Sequence, residues 1–146
     1  NDPVNIFVAD FIGEPPMNLL PVTVQKADGG FCFLLLDGTR IKAPAKFHSI
    51  LEDGQQYTMG IRPTSIVIAD EKDYDAQFTV DVFENLGDER IISIRILEDF
   101  LTIVIEDMLV FQKGSRIYVK MKEDLLYLFD RETGERVREQ GQRNGG

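Results

Sequence analysis

The chain has 146 residues, enough for one compact domain with its own hydrophobic core. Hydrophobic residues make up 43% and charged residues 28%, a composition typical of soluble globular proteins. Aspartate and glutamate number 25 against 16 lysine and arginine, which gives a net charge of −9, and the basic residues are scattered along the sequence. Because phosphate contacts dominate nucleic-acid affinity, this balance argues against a nucleic-acid partner. A single cysteine excludes an internal disulfide, and the longest apolar run is too short to cross a bilayer.

The first segment carries signals that begin and end a helix. Asp2 is a capping residue and Pro3 suits the first helical turn, while Gly13 and the prolines after it end the helix. Apolar residues recur at i, i+3, i+4 and i+7 from Val4. The pattern predicts one amphipathic α-helix over residues 2–12 that packs on the rest of the domain.

After Met17 the apolar period changes from that of a helix to that of a strand. The predicted strands are 19–25, 31–36, 39–42, 56–62, 65–69, 77–85, 90–97, 100–106, 116–122 and 125–129. Asp-Gly pairs at 28–30 and 37–38 predict hairpin turns, and residues 46–51 predict one helical turn. No internal repeat stands out. Many short strands joined by close turns predict a mainly β domain, either a barrel or a sandwich.

Three acidic residues imitate the magnesium-positioning acid that follows an apolar strand in P-loop ATPases. They are Asp37, Asp70 and Asp130, but the sequence has no GxxxxGKS or GxxxxGKT loop for them to serve, so they are interpreted as turn residues. Residues 70–75 place carboxylates at alternate positions, yet they lack the glycine and glutamate of an EF-hand loop. The sequence therefore predicts no catalytic, cofactor or metal site.

Cys32 and His48 are the remaining candidates for chemistry. Cys32 lies inside an apolar strand, which predicts a small buried side chain rather than a nucleophile. His48 is predicted at the surface or at a helix cap. A catalytic dyad of the two stays open, although no motif orients one side chain toward the other.

Four stretches, in order along the chain, resemble a region of a known family. They are NIFVADFIGEPPMNLL at 5–20, MGIRPTSI at 59–66, VDVFENLGDE at 80–89 and LYLFDRETGERV at 126–137. They are similar to the C-terminal transport-associated OB (TOBE) domain of ATP-binding subunits from carbohydrate-type ABC importers, of the maltose and glycerol-phosphate importer kind. Thr64 stands where that family commonly has glutamate.

The resemblance implies a fold and a domain organisation. It implies a mainly β, OB-like small barrel of the TOBE type, preceded by one N-terminal α-helix and closed by strands from both halves of the domain. Residues 1–16 would connect to the ATPase domain, residues 17–131 would form the barrel, and residues 132–146 would be a flexible tail. The ATPase core, with its ATP and magnesium, would lie before Asn1, so this chain would not itself be an enzyme and would hold no cofactor.

The resemblance also implies partners and a location. These are a second copy in a weak homodimer, the other importer subunits and possible regulatory proteins, at the inner face of the cell membrane in the cytoplasm, with no direct membrane contact. The candidate interface residues are Arg62, Pro63, Glu84, Gly87, Asp88, Glu89 and Gly134. Each also has a structural interpretation, since proline suits the edge of a sheet and the others suit turns or strand ends.

Two alternatives belong to another class, that of free-standing OB-type binding modules. A nucleic-acid binder would use some of the ten phenylalanines and four tyrosines for stacking, but most phenylalanines fall at strand positions expected inside the core. An oxyanion binder would need a Gly/Ser-rich nest, and the sequence offers none.

Overall fold

The computed structural model describes residues 16–139, so the predicted helix at 2–12 lies outside the described residues. Within this range the secondary structure consists of twelve β-strands and three short 3₁₀ turns. The domain is mainly β, as predicted. No helix in the described part of the chain is long and apolar enough to span a membrane.

The strands follow the predicted order with small shifts at their ends. They are β1 (Asn18–Ala27), β2 (Gly30–Leu34), β3 (Arg40–Lys42), β4 (Gln56–Ile61), β5 (Ile66–Ile68), β6 (Ala76–Thr79), β7 (Val82–Asn85), β8 (Arg90–Ile96), β9 (Asp99–Ile105), β10 (Arg116–Met121), β11 (Leu126–Asp130) and β12 (Arg136–Val137). The predicted helical turn at 46–51 is the 3₁₀ turn Ala45–Phe47. The predicted strand 77–85 is two strands, because the chain bends at Val80 and Asp81.

Every pairing between strands is antiparallel, and the strands form three sheets. A six-stranded sheet has the order β12-β11-β4-β1-β2-β3, and two three-stranded sheets have the orders β5-β10-β6 and β7-β8-β9. Two pairings cross between the halves of the chain. Met59 of β4 pairs with Leu128 of β11, and Ile68 of β5 pairs with Val119 of β10. The last strand of each half therefore completes a sheet of the other half, as expected for a barrel closed from both halves.

These pairings reveal a structural repeat with an offset of 60 residues, although no internal repeat stands out in the sequence. The segments β4–β5 and β10–β11 correspond residue by residue, and each begins just after a positive-φ glycine, Gly54 or Gly114. The two glycines donate equivalent 2.8 Å hydrogen bonds, to the carbonyls of Val24 and Val80. The chain is thus a duplicated unit whose two copies exchange their last strands.

Side chains that alternate along the strands fill one core shared by all three sheets. In β1 every second residue from Asn18 to Val24 is buried, which is the pattern of a strand with one face inward. A second, smaller cluster covers the outer face of β4, where Met17, Tyr127 and Phe129 are buried. A Cβ on Gly60 would lie 2.7 Å from the sulfur of Met17 and 2.8 Å from the ring of Phe129. Only glycine leaves room for this cluster.

The ordered sheet continues beyond residue 131, the predicted end of the barrel. Leu128 and Phe129 of β11 pair with Val137 and Arg136 of β12. Both β12 residues are buried, and the Arg136 guanidinium lies 4.6 Å from the centre of the Tyr127 ring. The prediction of a flexible tail from residue 132 is therefore corrected for these two residues.

Candidate functional site

The β7–β8 hairpin, which holds four of the predicted interface residues, has a turn that is fixed by its own hydrogen bonds. The amide of Gly87 donates to Asn85 Oδ1 at 3.0 Å, and Gly87 has a φ of 86°. The buried Arg90 side chain donates to the carbonyl of Gly87 at 2.7 Å. The turn presents Leu86, 59% exposed, together with carboxylates that face solvent. A rigid turn of this kind suits a contact surface, because little order is lost when a partner binds.

An exposed apolar segment lies at the same end of the β7-β8-β9 sheet. Arg90 pairs with Ile105, so the start of β8 lies beside the end of β9 and the residues that follow it. Among these, Met108 is 79% and Val110 68% exposed. A ring contact between Phe83 of β7 and Phe111, with centroids 6.1 Å apart, holds this segment against the hairpin.

We call these side chains together the hairpin patch. It comprises the apolar residues Leu86, Met108, Leu109 and Val110 and the surrounding acids Glu84, Asp88 and Glu89. Of the ten exposed large apolar side chains in residues 16–139, four belong to this patch. Exposed apolar side chains concentrated in one region and rimmed by charge are typical of protein contact sites.

Arg62 and Pro63 lie beside the end of β9, next to the same region. Pro63 is buried and begins the 3₁₀ turn Pro63–Ser65, in which the amide of Ser65 donates to the carbonyl of Arg62 at 2.9 Å. Thr64 lines a groove of about 270 Å³ with the last residues of β9 and Asp107. The interpretation of Pro63 as a sheet-edge proline is wrong, because β4 lies inside the six-stranded sheet and the proline follows its end.

Gly134 is not brought to this region. It lies in the β11–β12 turn with a φ of 75°, and its amide donates to the carbonyl of Asp130 at 2.8 Å. Asp130 pairs with Tyr57 at the start of β4, whereas the chain reaches Arg62 at the other end of that strand. The structure therefore groups the other predicted residues around the end of β9 and places Gly134 at the opposite end of the six-stranded sheet.

The strand-ending acids act as turn residues, which confirms their interpretation. Asp37 Oδ1 accepts from the amide of Thr39, and Asp70 Oδ1 accepts from that of Lys72. Asp130 Oδ1 accepts from two amides in the β11–β12 turn, at 2.9 and 3.0 Å. Within residues 16–139, no group of three or more His, Cys, Asp or Glu side chains comes together in a way that could hold a metal ion.

Cys32 and His48 line the same open cleft beside the β1–β2 hairpin, but the contacts described for them are with other residues and not with each other. The Cys32 thiol is buried and lies 3.6 Å from Gln25 Oε1, to which it donates. Burial raises the pKa of this thiol, and the nearby Arg40 lowers it to a smaller extent. His48 contacts the carbonyl of Ala43 at 3.2 Å and the ring of Phe31. Since a nucleophile acts as the thiolate, these contacts suit a structural role.

Sequence reasoning missed the apolar part of the hairpin patch. Residues 108–111 form a short apolar run between Asp107 and Gln112, and a run of that kind usually indicates buried structure. One feature of the sequence did indicate an exposed apolar segment: this run falls between two predicted strands, where apolar residues are unusual.

Comparison with known proteins connects this fold to a family. Residues 13–66 match the family model of the MalK OB fold domain. The chain is 33% identical over 141 residues to the sn-glycerol-3-phosphate import ATP-binding protein UgpC of Escherichia coli K12. It is 31% identical over 151 residues to the xylose/arabinose import ATP-binding protein XacJ of Haloferax volcanii.

The alignments with these relatives cover 92% and 94% of this chain, but only 37% and 38% of the relatives' own lengths. The matched region is their C-terminal part. A solved structure of the cytoplasmic molybdate-binding protein ModG, with molybdate bound, superposes with a TM-score of 0.54 over 76% of this chain and 94% of ModG. At 14% identity this likeness shows a shared fold alone.

Proposed function

We propose that this chain, of which residues 13–66 match the MalK OB fold domain, is the regulatory and dimerisation domain of the ATP-binding subunit of an ABC importer for sugars or related solutes. The ATPase core would lie in another part of the same polypeptide, because this chain spans less than two fifths of the length of the curated relatives named above. The subunit would lie in the cytoplasm, against the inner face of the membrane and in contact with the other importer subunits.

The observation that carries this proposal is the hairpin patch. Apolar side chains as exposed as Met108 and Leu86 are stabilised when a partner covers them, since each Å² of apolar surface removed from water contributes about 25 cal/mol. The acids around the patch, together with the net charge of −9, oppose close approach of a second copy. The two effects predict weak self-association in isolation. In the intact subunit, neighbouring ATPase domains would hold two copies at high effective concentration.

Sedimentation equilibrium at increasing protein concentration tests this proposal. We expect a dimer with a Kd between about 10 µM and about 1 mM, tighter at about 0.15 M salt than at about 0.01 M because salt screens the repulsion. Met108→Glu should weaken dimerisation at least about fivefold, because it places a further charge in the patch. Leu36→Glu is the matched control: Leu36 is 54% exposed but lies in the β2–β3 turn, away from the patch.

Two outcomes would contradict the proposal. One is a strictly monomeric species at about 1 mM protein in moderate salt. The other is a dimer that Met108→Glu leaves unchanged, because the contact would then lie elsewhere on the domain.

We also expect the chain neither to bind nor to hydrolyse ATP. Its sequence contains no phosphate loop, and that loop supplies the backbone amides and the lysine which hold the nucleotide phosphates. Titration of Mg-ATP in a calorimeter should give no saturable heat. Binding in the micromolar range would contradict the assignment of ATPase chemistry to another part of the polypeptide.

A further inference from the structure

Two adjoining clefts on the side of the domain formed by β3 and β6 collect basic side chains. The first, of about 940 Å³, lies between the β1–β2 hairpin, β3 and the start of β6. The second, of about 350 Å³, lies between β6, β8 and β10. Thr39 and Gln77 line both, so the two clefts form one continuous concave surface, which we call the basic cleft.

The charge of the basic cleft is opposite to that of the chain. Its lining holds five lysine or arginine residues against three aspartates, whereas the whole chain has 16 against 25. The five cations are Lys26, Arg40, Lys42, Arg95 and Arg116. A local positive region within an acidic protein attracts anions selectively, because the low-dielectric walls of a cleft focus its field.

Within residues 16–139, the cations of the cleft form no close ion pairs with acids, although Lys120 and, to a smaller extent, Lys42 lower the pKa of the nearby Asp73. Among the described residues, ion pairs within 4.0 Å are formed by Lys46, Lys113 and Lys120, and none of these lines the cleft. Two of the three aspartates accept from backbone amides: Asp37 from Thr39 at 3.0 Å and Asp75 from Met121 at 2.9 Å. Two of the three acids therefore satisfy backbone groups, and a ligand would not have to displace a close ion pair to reach the cations.

Register brings Arg40 and Lys42 to the same face of the cleft. They alternate with the buried Ile41 on β3, so both side chains point outward, about 7 Å apart along the strand. Lys42 pairs with Cys32, which pairs in turn with Gln25, so a side-chain amide lies on the same face. Two long cationic side chains at this spacing can converge on one phosphate group.

A chain of hydrogen bonds supplies neutral donors opposite these cations. Arg116 donates to Gln77 Oε1 at 3.1 Å, and Gln77 Nε2 donates to the Tyr74 hydroxyl at 3.1 Å. Because the Tyr74 oxygen accepts this bond, its own proton is free to be donated into the cleft. The Tyr74 ring is held against Tyr118, with centroids 4.9 Å apart. The cleft thus has cationic side chains at one end and an oriented tyrosine hydroxyl at the other, and this hydroxyl can donate a hydrogen bond to a polyol.

We propose that the basic cleft binds a small organic phosphate ester, with its phosphate on Arg40 and Lys42 and its hydroxyl groups on Gln77 and Tyr74. A small metabolite suits this open polar cleft better than nucleic acid does, since the chain as a whole carries a net charge of −9. This site is separate from the hairpin patch, so a test of ligand binding here does not depend on the proposed dimerisation.

Calorimetry with the whole chain tests the site, with glucose 6-phosphate and inorganic phosphate as probes and glucose as the uncharged control. We expect saturable binding of glucose 6-phosphate, weaker binding of phosphate and none of glucose. The double variant Arg40→Gln/Lys42→Gln should lose at least about tenfold in affinity, because two charge-assisted contacts are removed. Lys113→Gln, which removes an exposed charge outside the cleft, should bind as the unchanged chain does. Tyr74→Phe should weaken glucose 6-phosphate binding but not phosphate binding.

Three results would overturn the proposal. The first is no saturation by glucose 6-phosphate at about 10 mM, a concentration at which even weak charge-assisted binding is measurable. The second is equal affinity in the double variant, with its fold verified by circular dichroism. The third is tighter binding to vesicles that contain phosphatidylinositol phosphate, or to a single-stranded oligonucleotide, than to the ester; this would assign the phosphate to a lipid headgroup or a nucleic acid instead.

Discussion

The strands β4 and β10 hold equivalent positions in the two copies of the duplicated unit, yet their outer faces differ completely. Toward the core the strands agree, since Met59 and the equivalent Val119 are both fully buried. On the outer face, β4 has Gly60 beneath a buried apolar cluster, whereas β10 has Lys120 in an exposed ion pair with Asp73 at 2.6 Å. Duplication has therefore kept the inner face apolar while the outer face diverged. One copy is covered by its own chain, and the other faces solvent.

The sharpest test of this difference removes the largest side chain of the outer cluster on β4. Phe129 is fully buried, so Phe129→Ala should lower the free energy of unfolding by about 3–5 kcal/mol through lost burial and a cavity. Urea unfolding followed by circular dichroism measures this change. Phe100→Ala is the matched control, since Phe100 is 47% exposed, and it should cost less than about 1 kcal/mol. Equal decreases in the free energy of unfolding for the two variants would show that Phe129 contributes no more to stability than the exposed Phe100 does.

A second test compares the two equivalent positions directly. Gly60→Ala places a methyl group within 2.8 Å of both Met17 and Phe129, so it should destabilise the fold by about 1–3 kcal/mol through overpacking. Lys120→Ala, at the matching position of β10, should change stability much less because that side chain is exposed. The same urea titrations measure both. A neutral Gly60→Ala would mean that the cluster adjusts easily and that glycine is not required there.

The smallest effect concerns the ion pair on the outer face of β10. The hydrogen bond from Lys120 lowers the pKa of Asp73, so the pair supports folding above the carboxyl's unfolded pKa of about 3.9 and loses this contribution as pH falls through the folded value. Lys120→Met should return the Asp73 pKa toward its ordinary value, and an NMR titration of the side-chain carboxyl measures this shift. Because both groups are exposed, overall stability should barely respond. An unchanged Asp73 pKa in the variant would contradict the pairing.

The sequence predicted the strands of both copies well but not the relation between them. Alternation located β4 and β10, and Asp-Gly pairs located the hairpin turns, because both signals are local. The repeat was invisible, since equivalent inner positions such as Tyr57 and Ile117 share only apolar character. At the break between β6 and β7, the amide of Asp81 donates to the carbonyl of Ser93, a contact between distant residues that no local pattern encodes.

In the two candidate sites, too, features that depend on neighbouring residues could be predicted from the sequence, and features that depend on distant residues could not. The turn at Gly87 was found from sequence, because a glycine flanked by acids is a local signal. The exposure of Met108 depends on what packs over it. The basic cleft depends on strands that bring Arg40 and Arg116 together from positions far apart in the chain. Charged residues that are scattered in the sequence can be assigned to one surface only when the pairing of the strands is known.

The exchange of last strands also constrains how the chain acquires its structure over time. Leu126 must reach Ile61 across more than 60 residues before β4 gains its second neighbour. Closing so long a loop lowers the chain entropy before any contact between the strands compensates for that loss. We therefore expect this pairing to form slowly and at a late stage of folding. During synthesis, β4 emerges from the ribosome well before β11 exists. Until β11 arrives, one edge of β4 offers unpaired amides and carbonyls to any strand nearby, including the β11 of another copy.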